Sequence, residues 1–137
     1  MEMLPSGLPN LIDSEEDLAR FLTQGGHYNA QMAKPAAFLP SLKDHETSVS
    51  RHGFEPLERL WIIGRDATNG RNLHGVAVFK ARTVGTAQLE AVADEPPHRH
   101  AAIRGWPWLD DPELQKAQQK ERAIVLAVAS KLLLRGN

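Results

Sequence analysis

Glycine and proline punctuate this chain so often that only one stretch, 113–135, is free of both for more than about five helical turns. The elements on either side of it must therefore be short and closely connected. Asp111-Pro112 supplies a cap followed by a proline at the first helical position, and Leu114, Ala117, Ile124, Val125, Val128 and Leu132 continue an apolar spacing towards Gly136. The pattern predicts the longest helix over 112–134. Within it Ala123-Ile124-Val125-Leu126-Ala127-Val128-Ala129 is apolar nearly all the way round, so the helix is expected to be covered on more than one side, by the chain or by a second copy in a homodimer.

Ser14-Glu15-Glu16-Asp17 reads as a capping box, with Leu18, Phe21 and Leu22 on one stripe and Gly25-Gly26 as the stop, which predicts an amphipathic helix over 14–24. From His27 to Asp44 periodicity fails, and Pro35 and Pro40 bracket a loop that Phe38 and Leu39 are expected to pin to the core. Glu46 to Arg51 reads as a strand, and Pro56 opens a helix over 55–67 with Leu57, Leu60 and Trp61 on one face. Asn69-Gly70 then turns into a central strand over 73–84. After Gly85-Thr86, residues 88–93 can return antiparallel to it, and 101–104 forms one more short strand. The order α-β-α-β-β-(β)-α predicts an α+β fold. It is a single domain over 1–137, with 1–13 loosely ordered, in which helices cover one face of a mostly antiparallel sheet of about three to four strands.

With 137 residues the chain is long enough for one core, and its formal charge of −1 gives no overall field that would draw it onto phosphate backbones or anionic lipid. Any nucleic-acid contact must come from a local patch. The absence of cysteine excludes a disulfide framework, a thiolate nucleophile and a cysteine-type zinc site, and it fits a reducing cytoplasm. Met1 to Gly7 has no basic, then apolar, signal pattern, and the apolar run 123–134 is interrupted by Ser130 and Lys131, short of the ~20 residues that span a bilayer. No membrane partner is expected. Neither G-x-S-x-G, a Walker-type loop nor G-x-G-x-x-G occurs, so acyl-hydrolase, nucleoside triphosphatase and dinucleotide readings lose their usual support, and no cofactor is expected.

The polar candidates lie elsewhere. His98 and His100 would share a side in an extended segment and offer two imidazoles to a metal or phosphate, but no third ligand is fixed nearby and H-E-x-x-H is absent. A solvated loop beside Pro96-Pro97 is the favoured account of them, so no metal is expected. Arg104 beside Trp106 and Trp108 can recognise a phosphate or stack a base, against the simpler account that the indoles close the core ahead of the last helix. Arg51, Lys80, Arg82 and Arg104 could converge on one sheet face or merely keep it solvated. Ser48, Ser50, His74, His100 and Glu46 supply the residue types for nucleophilic catalysis without any spacing that arranges them.

In its segments Lys34-Pro35-Ala36-Ala37-Phe38-Leu39-Pro40, Glu46-Thr47-Ser48-Val49-Ser50-Arg51 and Arg99-His100-Ala101-Ala102-Ile103-Arg104-Gly105-Trp106-Pro107, the chain resembles small uncharacterised bacterial proteins with an AFLP, ETSV-x-R, RHA-x-I-x-GWP layout. That resemblance covers about residues 14–134 and implies a bacterial cytosolic origin and one recurring design, with no known activity and no site to carry over.

The leading expectation is a non-enzymatic binding module. Its polar groove, built from Lys34, Arg51, His100 and Arg104 with Trp106 as a wall, would receive a protein segment or a nucleic-acid end. One alternative is a metal-independent hydrolase or transferase on a phosphate-containing substrate, with His100 as acid/base and Arg51 or Lys80 on the phosphate. Another is a structural subunit that assembles through 112–134.

Overall fold

The clearest departure from the expected order is at residues 17–22, which form a strand. A computed structural model describes residues 3–53, 55–69 and 71–135. Strand β1 (Asp17–Leu22) is followed by 3₁₀ turns at Gly25–His27 and Pro35–Phe38, β2 (Thr47–Gly53), α1 (Leu57–Ala67), β3 (Gly75–Lys80) and α2 (Ala81–Thr86). The chain continues through β4 (Glu90–Ala93), β5 (His100–Arg104), α3 (Pro112–Ala129) and β6 (Lys131–Leu134). These strands form a six-stranded sheet in the order β4-β5-β2-β1-β3-β6, with every pairing antiparallel. The fold is α+β, as expected, but the sheet is larger than the three or four strands anticipated.

The expected first helix fails for a definable reason. Leu18 and Leu22 are four residues apart, a spacing that suits one helix face and one strand face alike. Asp13 decides locally: its carboxylate accepts the Glu15 N–H at 2.8 Å and its carbonyl the Glu16 N–H at 3.0 Å, a turn rather than a helix cap. β1 then pairs on both edges and buries Leu18 and Ala19 on opposite faces, which no single-stripe helix does.

Alternation divides the core into two layers. Leu18, Leu22, Val49, Ala77, Phe79, Ala101 and Ile103 meet Phe38, Trp106 and the α3 residues Ala123, Leu126 and Ala127 on one face. Ala19 and Val76 meet Leu60 on the other, with Phe21, Trp61, Val78 and Leu133 packed around them. Helices therefore cover both faces, not one.

Two further boundaries differ. Residues 73–84 split into β3 and α2, because Ala81 and Val84 are buried while Arg82 is exposed, and the Ala81 and Arg82 N–H groups bond the Glu16 and Ser14 carbonyls. β4 pairs with β5 at the far edge rather than with β3. The last helix ends at Ala129, where the Ser130 hydroxyl donates to the Ala127 carbonyl at 2.8 Å and the backbone turns extended. β6 then lies along β3, and Gly75 makes room for it: a Cβ there would stand 2.7 Å from the Leu133 carbonyl oxygen. α3 leaves Leu114, Ile124 and Val128 exposed, so the chain does not itself cover this helix on more than one side. Among the described residues, no helix is long and apolar enough to cross a membrane.

Candidate functional site

The two middle strands part company halfway. β1 and β2 pair only as far as Ala19 and Ser50, whereas β1 stays on β3 through Leu22 and β2 stays on β5 back to Thr47. The Arg20 side chain occupies the resulting split. Its Nε donates to the Ala37 carbonyl at 2.7 Å and its Nη1 to the Ser48 carbonyl at 2.8 Å, so a guanidinium satisfies backbone that a neighbouring strand would otherwise bond.

A cavity of about 350 Å³ opens at this split, lined by Arg20, Ser48 and Ser50 from the two strands, His100 from β5, Ile63 and Asp66 from α1, and by His27, Arg71 and His98 from connecting segments. That volume lies within the range of small-molecule sites, roughly 300–1,000 Å³. Its charge is unbalanced. Among the described residues neither Arg20 nor Arg71 belongs to an ion pair, and Asp66 is the one acid in the lining. Among the described residues the Arg71 side chain donates only to the Thr68 carbonyl, at 3.1 Å. Burial, reinforced by Arg71, lowers the Arg20 pKa, and burial with the nearby Arg20 charge lowers that of His27. Each of these groups would gain from an anion in the cavity.

His100 is anchored by Asp94. Its Nδ1 lies 3.0 Å from the Asp94 carbonyl oxygen and 3.3 Å from the Asp94 carboxylate. A carbonyl can only accept, so the proton sits on Nδ1 and the lone pair on Nε2.

The expected groove is not assembled. Arg51 and His100 project from opposite faces of the sheet, because Ser50 is the register partner of His100 and Arg51 is the next residue along. Arg51 is fully buried, its Nε and Nη2 each 2.6 Å from a Glu16 carboxylate oxygen and its Nη1 2.6 Å from the Pro9 carbonyl. Lys34 is exposed ahead of the Pro35–Phe38 turn, and Arg104 pairs with Glu46 at 3.0 Å. Lys80 pairs with Asp17 at 3.0 Å and Arg82 with Glu15. Trp106 belongs to the core, with its Nε1 donating to the Ile103 carbonyl, and Trp108 packs against the same cluster and stacks on His45. Of the five binding residues anticipated, only His100 lines the cavity. His98 lines it too, although Arg99 between them has φ 62°, so the segment is not extended. Among the described residues no three His, Asp or Glu side chains group to hold a metal ion.

Arg20, Arg71, His27 and Asp66 escaped the sequence reading. Arg20 carried one usable signal: in a strand it shares a face with Leu18 and Leu22, and a charge on a buried face requires a reason.

His52, where β2 shifts register against β1, is buried, and among the described residues its Nδ1 has no partner. Burial is the main cause holding its pKa below the ordinary imidazole value; Arg99 adds to the effect, while the Asp17 and Glu55 carboxylates oppose it. The unfolded chain takes up this proton near pH ~6.5 and the folded protein only at lower pH, so stability is full above that value and falls with acidification below it. His27 has the same sign. The urea midpoint is therefore expected to drop between pH 7.5 and 5.5, and His52→Gln should flatten that slope. An unchanged slope in the variant would assign the proton elsewhere.

Fold and cavity together define a small α+β protein whose antiparallel sheet splits around a cation-lined pocket. Set against known proteins, the chain matches no family model, no curated protein and no solved structure.

Proposed function

We propose that the protein is a binding module whose cavity takes the phosphate group of a ligand of about nucleotide size, either free or at the end of a nucleic-acid chain. The observation that supports this is that Arg20 and Arg71 line one cavity and, among the described residues, neither forms an ion pair with a carboxylate. A phosphate monoester carries about −1.5 to −2 charge at neutral pH and three acceptor oxygens, which suits two guanidinium forks better than a single carboxylate does. Net charge contributes little, so affinity should depend only weakly on salt.

The test is calorimetric titration with inorganic phosphate, a nucleoside 5′-monophosphate and a 5′-phosphorylated oligonucleotide. Arg71→Gln should weaken binding by roughly 10–100-fold, the loss of one charge-assisted hydrogen bond or two. Preference for the oligonucleotide would identify a nucleic-acid end, and preference for the mononucleotide a free ligand. Equal binding by wild type and variant would remove the cavity as the site.

A further inference from the structure

Ser50 and His100 are direct cross-strand partners, and both line the cavity. The Arg51 N–H bonds the Arg99 carbonyl at 2.7 Å, a bond from the residue after Ser50 to the residue before His100. That pattern marks the two as a non-hydrogen-bonded pair, in which Cα atoms stand about 4.5 Å apart and side chains are closest. Ser50 is 4% exposed, and among the described residues its hydroxyl has no hydrogen-bond partner. His100 keeps its Nδ1 proton on the Asp94 carbonyl, which leaves Nε2 free as a base. The guanidiniums of Arg20 and Arg71 line the same cavity.

We infer that the cavity transfers a phosphoryl group to Ser50, with His100 as the general base. This rests on the phosphate reading above and adds chemistry to it. The Ser50 Oγ–P bond forms as the bond from phosphorus to the leaving oxygen breaks, that oxygen departs with the electron pair, and the serine proton passes to His100 Nε2. Water then attacks phosphorus, the Oγ–P bond breaks, His100 returns its proton to Oγ, and both protons of the water leave on the inorganic phosphate, released as H₂PO₄⁻. The arginines neutralise charge on the phosphoryl oxygens throughout. Among the described residues no second imidazole in the cavity is hydrogen-bonded to an orienting carbonyl or carboxylate that would ready it to protonate a leaving group. The substrate class is accordingly one whose leaving oxygen is a weak base: an acyl phosphate or an aryl phosphate. Absence of a G-x-S-x-G elbow is no obstacle, since such groups are recognised by geometry and role.

The experiment incubates the full chain with acetyl phosphate and, separately, with p-nitrophenyl phosphate, and follows phosphate release together with intact and peptide mass. Release catalysed by the wild type, one phosphoryl group on Ser50 after acid quench, no adduct in Ser50→Ala and a loss of about 100-fold or more in His100→Gln are expected. Ser41→Ala, at an exposed position outside the cavity lining, serves as the control that retains turnover. Phosphate binding by calorimetry separates the two readings. If wild type and Ser50→Ala both bind phosphate but neither turns over substrate, the transfer inference falls and the binding reading stands. If neither binds, both fall. Turnover that survives in Ser50→Ala, or an adduct on another residue, overturns Ser50 as the acceptor.

Discussion

Arg51→Ala is expected to destabilise the protein by about 3–5 kcal/mol, read as a lower urea midpoint at unchanged slope. The reason is what it leaves behind. Glu16 is 5% exposed and takes both of its charge-assisted bonds from Arg51, so truncation strands a buried carboxylate. The same side chain ties the N-terminal segment to the sheet through the Pro9 carbonyl. Arg51→Lys should recover little, because an ammonium lacks the fork that meets both oxygens. Arg51→Met with Glu16→Leu should recover most of the loss, since removing both charges removes the desolvation cost with them. An Arg51→Ala variant within ~1 kcal/mol of wild type would contradict this account of the pair.

Phe38→Ala should cost a similar amount, about 3–5 kcal/mol, by opening a cavity in the larger core layer. Phe38 is fully buried and meets Phe79 edge to face, with centroids 5.8 Å apart and planes at 77°. Its carbonyl also accepts the Thr47 hydroxyl at 2.6 Å, which joins the 3₁₀ turn to β2. The preceding residue, Ala37, holds the Arg20 guanidinium, so the same substitution should weaken phosphate binding as well as stability. Leu39→Ala, at a side chain 39% exposed, is the comparison and should stay within about 0.5 kcal/mol. Were the two variants equally stable, Phe38 would not be the anchor of this segment.

That contrast also shows what could be read from the residues alone. Phe38 and Leu39 look alike in the sequence, and only the Pro35–Phe38 turn decides which of them faces the sheet. The strand around Thr47–Arg51 and the one around Ala101–Arg104 were visible because β-branched and small residues fall there in short runs bounded by turns. α1 was visible from its amphipathic spacing after Pro56. β6 was hidden, since no glycine or proline separates it from α3 and its strand character comes from pairing with distant β3. β1 was hidden for the related reason that its two partners lie far along the chain. The cavity was out of reach on the same grounds: Arg20 and Arg71 approach each other only once β1 has taken its place in the sheet. Residues 34–40, 46–51 and 99–107 are spatial neighbours, with the Thr47 hydroxyl bonded to the Phe38 carbonyl and β2 paired along β5.

Where β1 and β2 separate, one guanidinium closes the sheet and faces the pocket. On the proposed phosphate reading, affinity and stability would both be drawn from that single side chain. A substitution that relaxed ligand hold at Arg20 would also unclasp the Ala37 and Ser48 carbonyls, and one that tightened the sheet there by extending strand pairing would fill the space the ligand needs. The opening in the sheet and the binding proposed for it would then be one property of the backbone, and neither could be tuned alone.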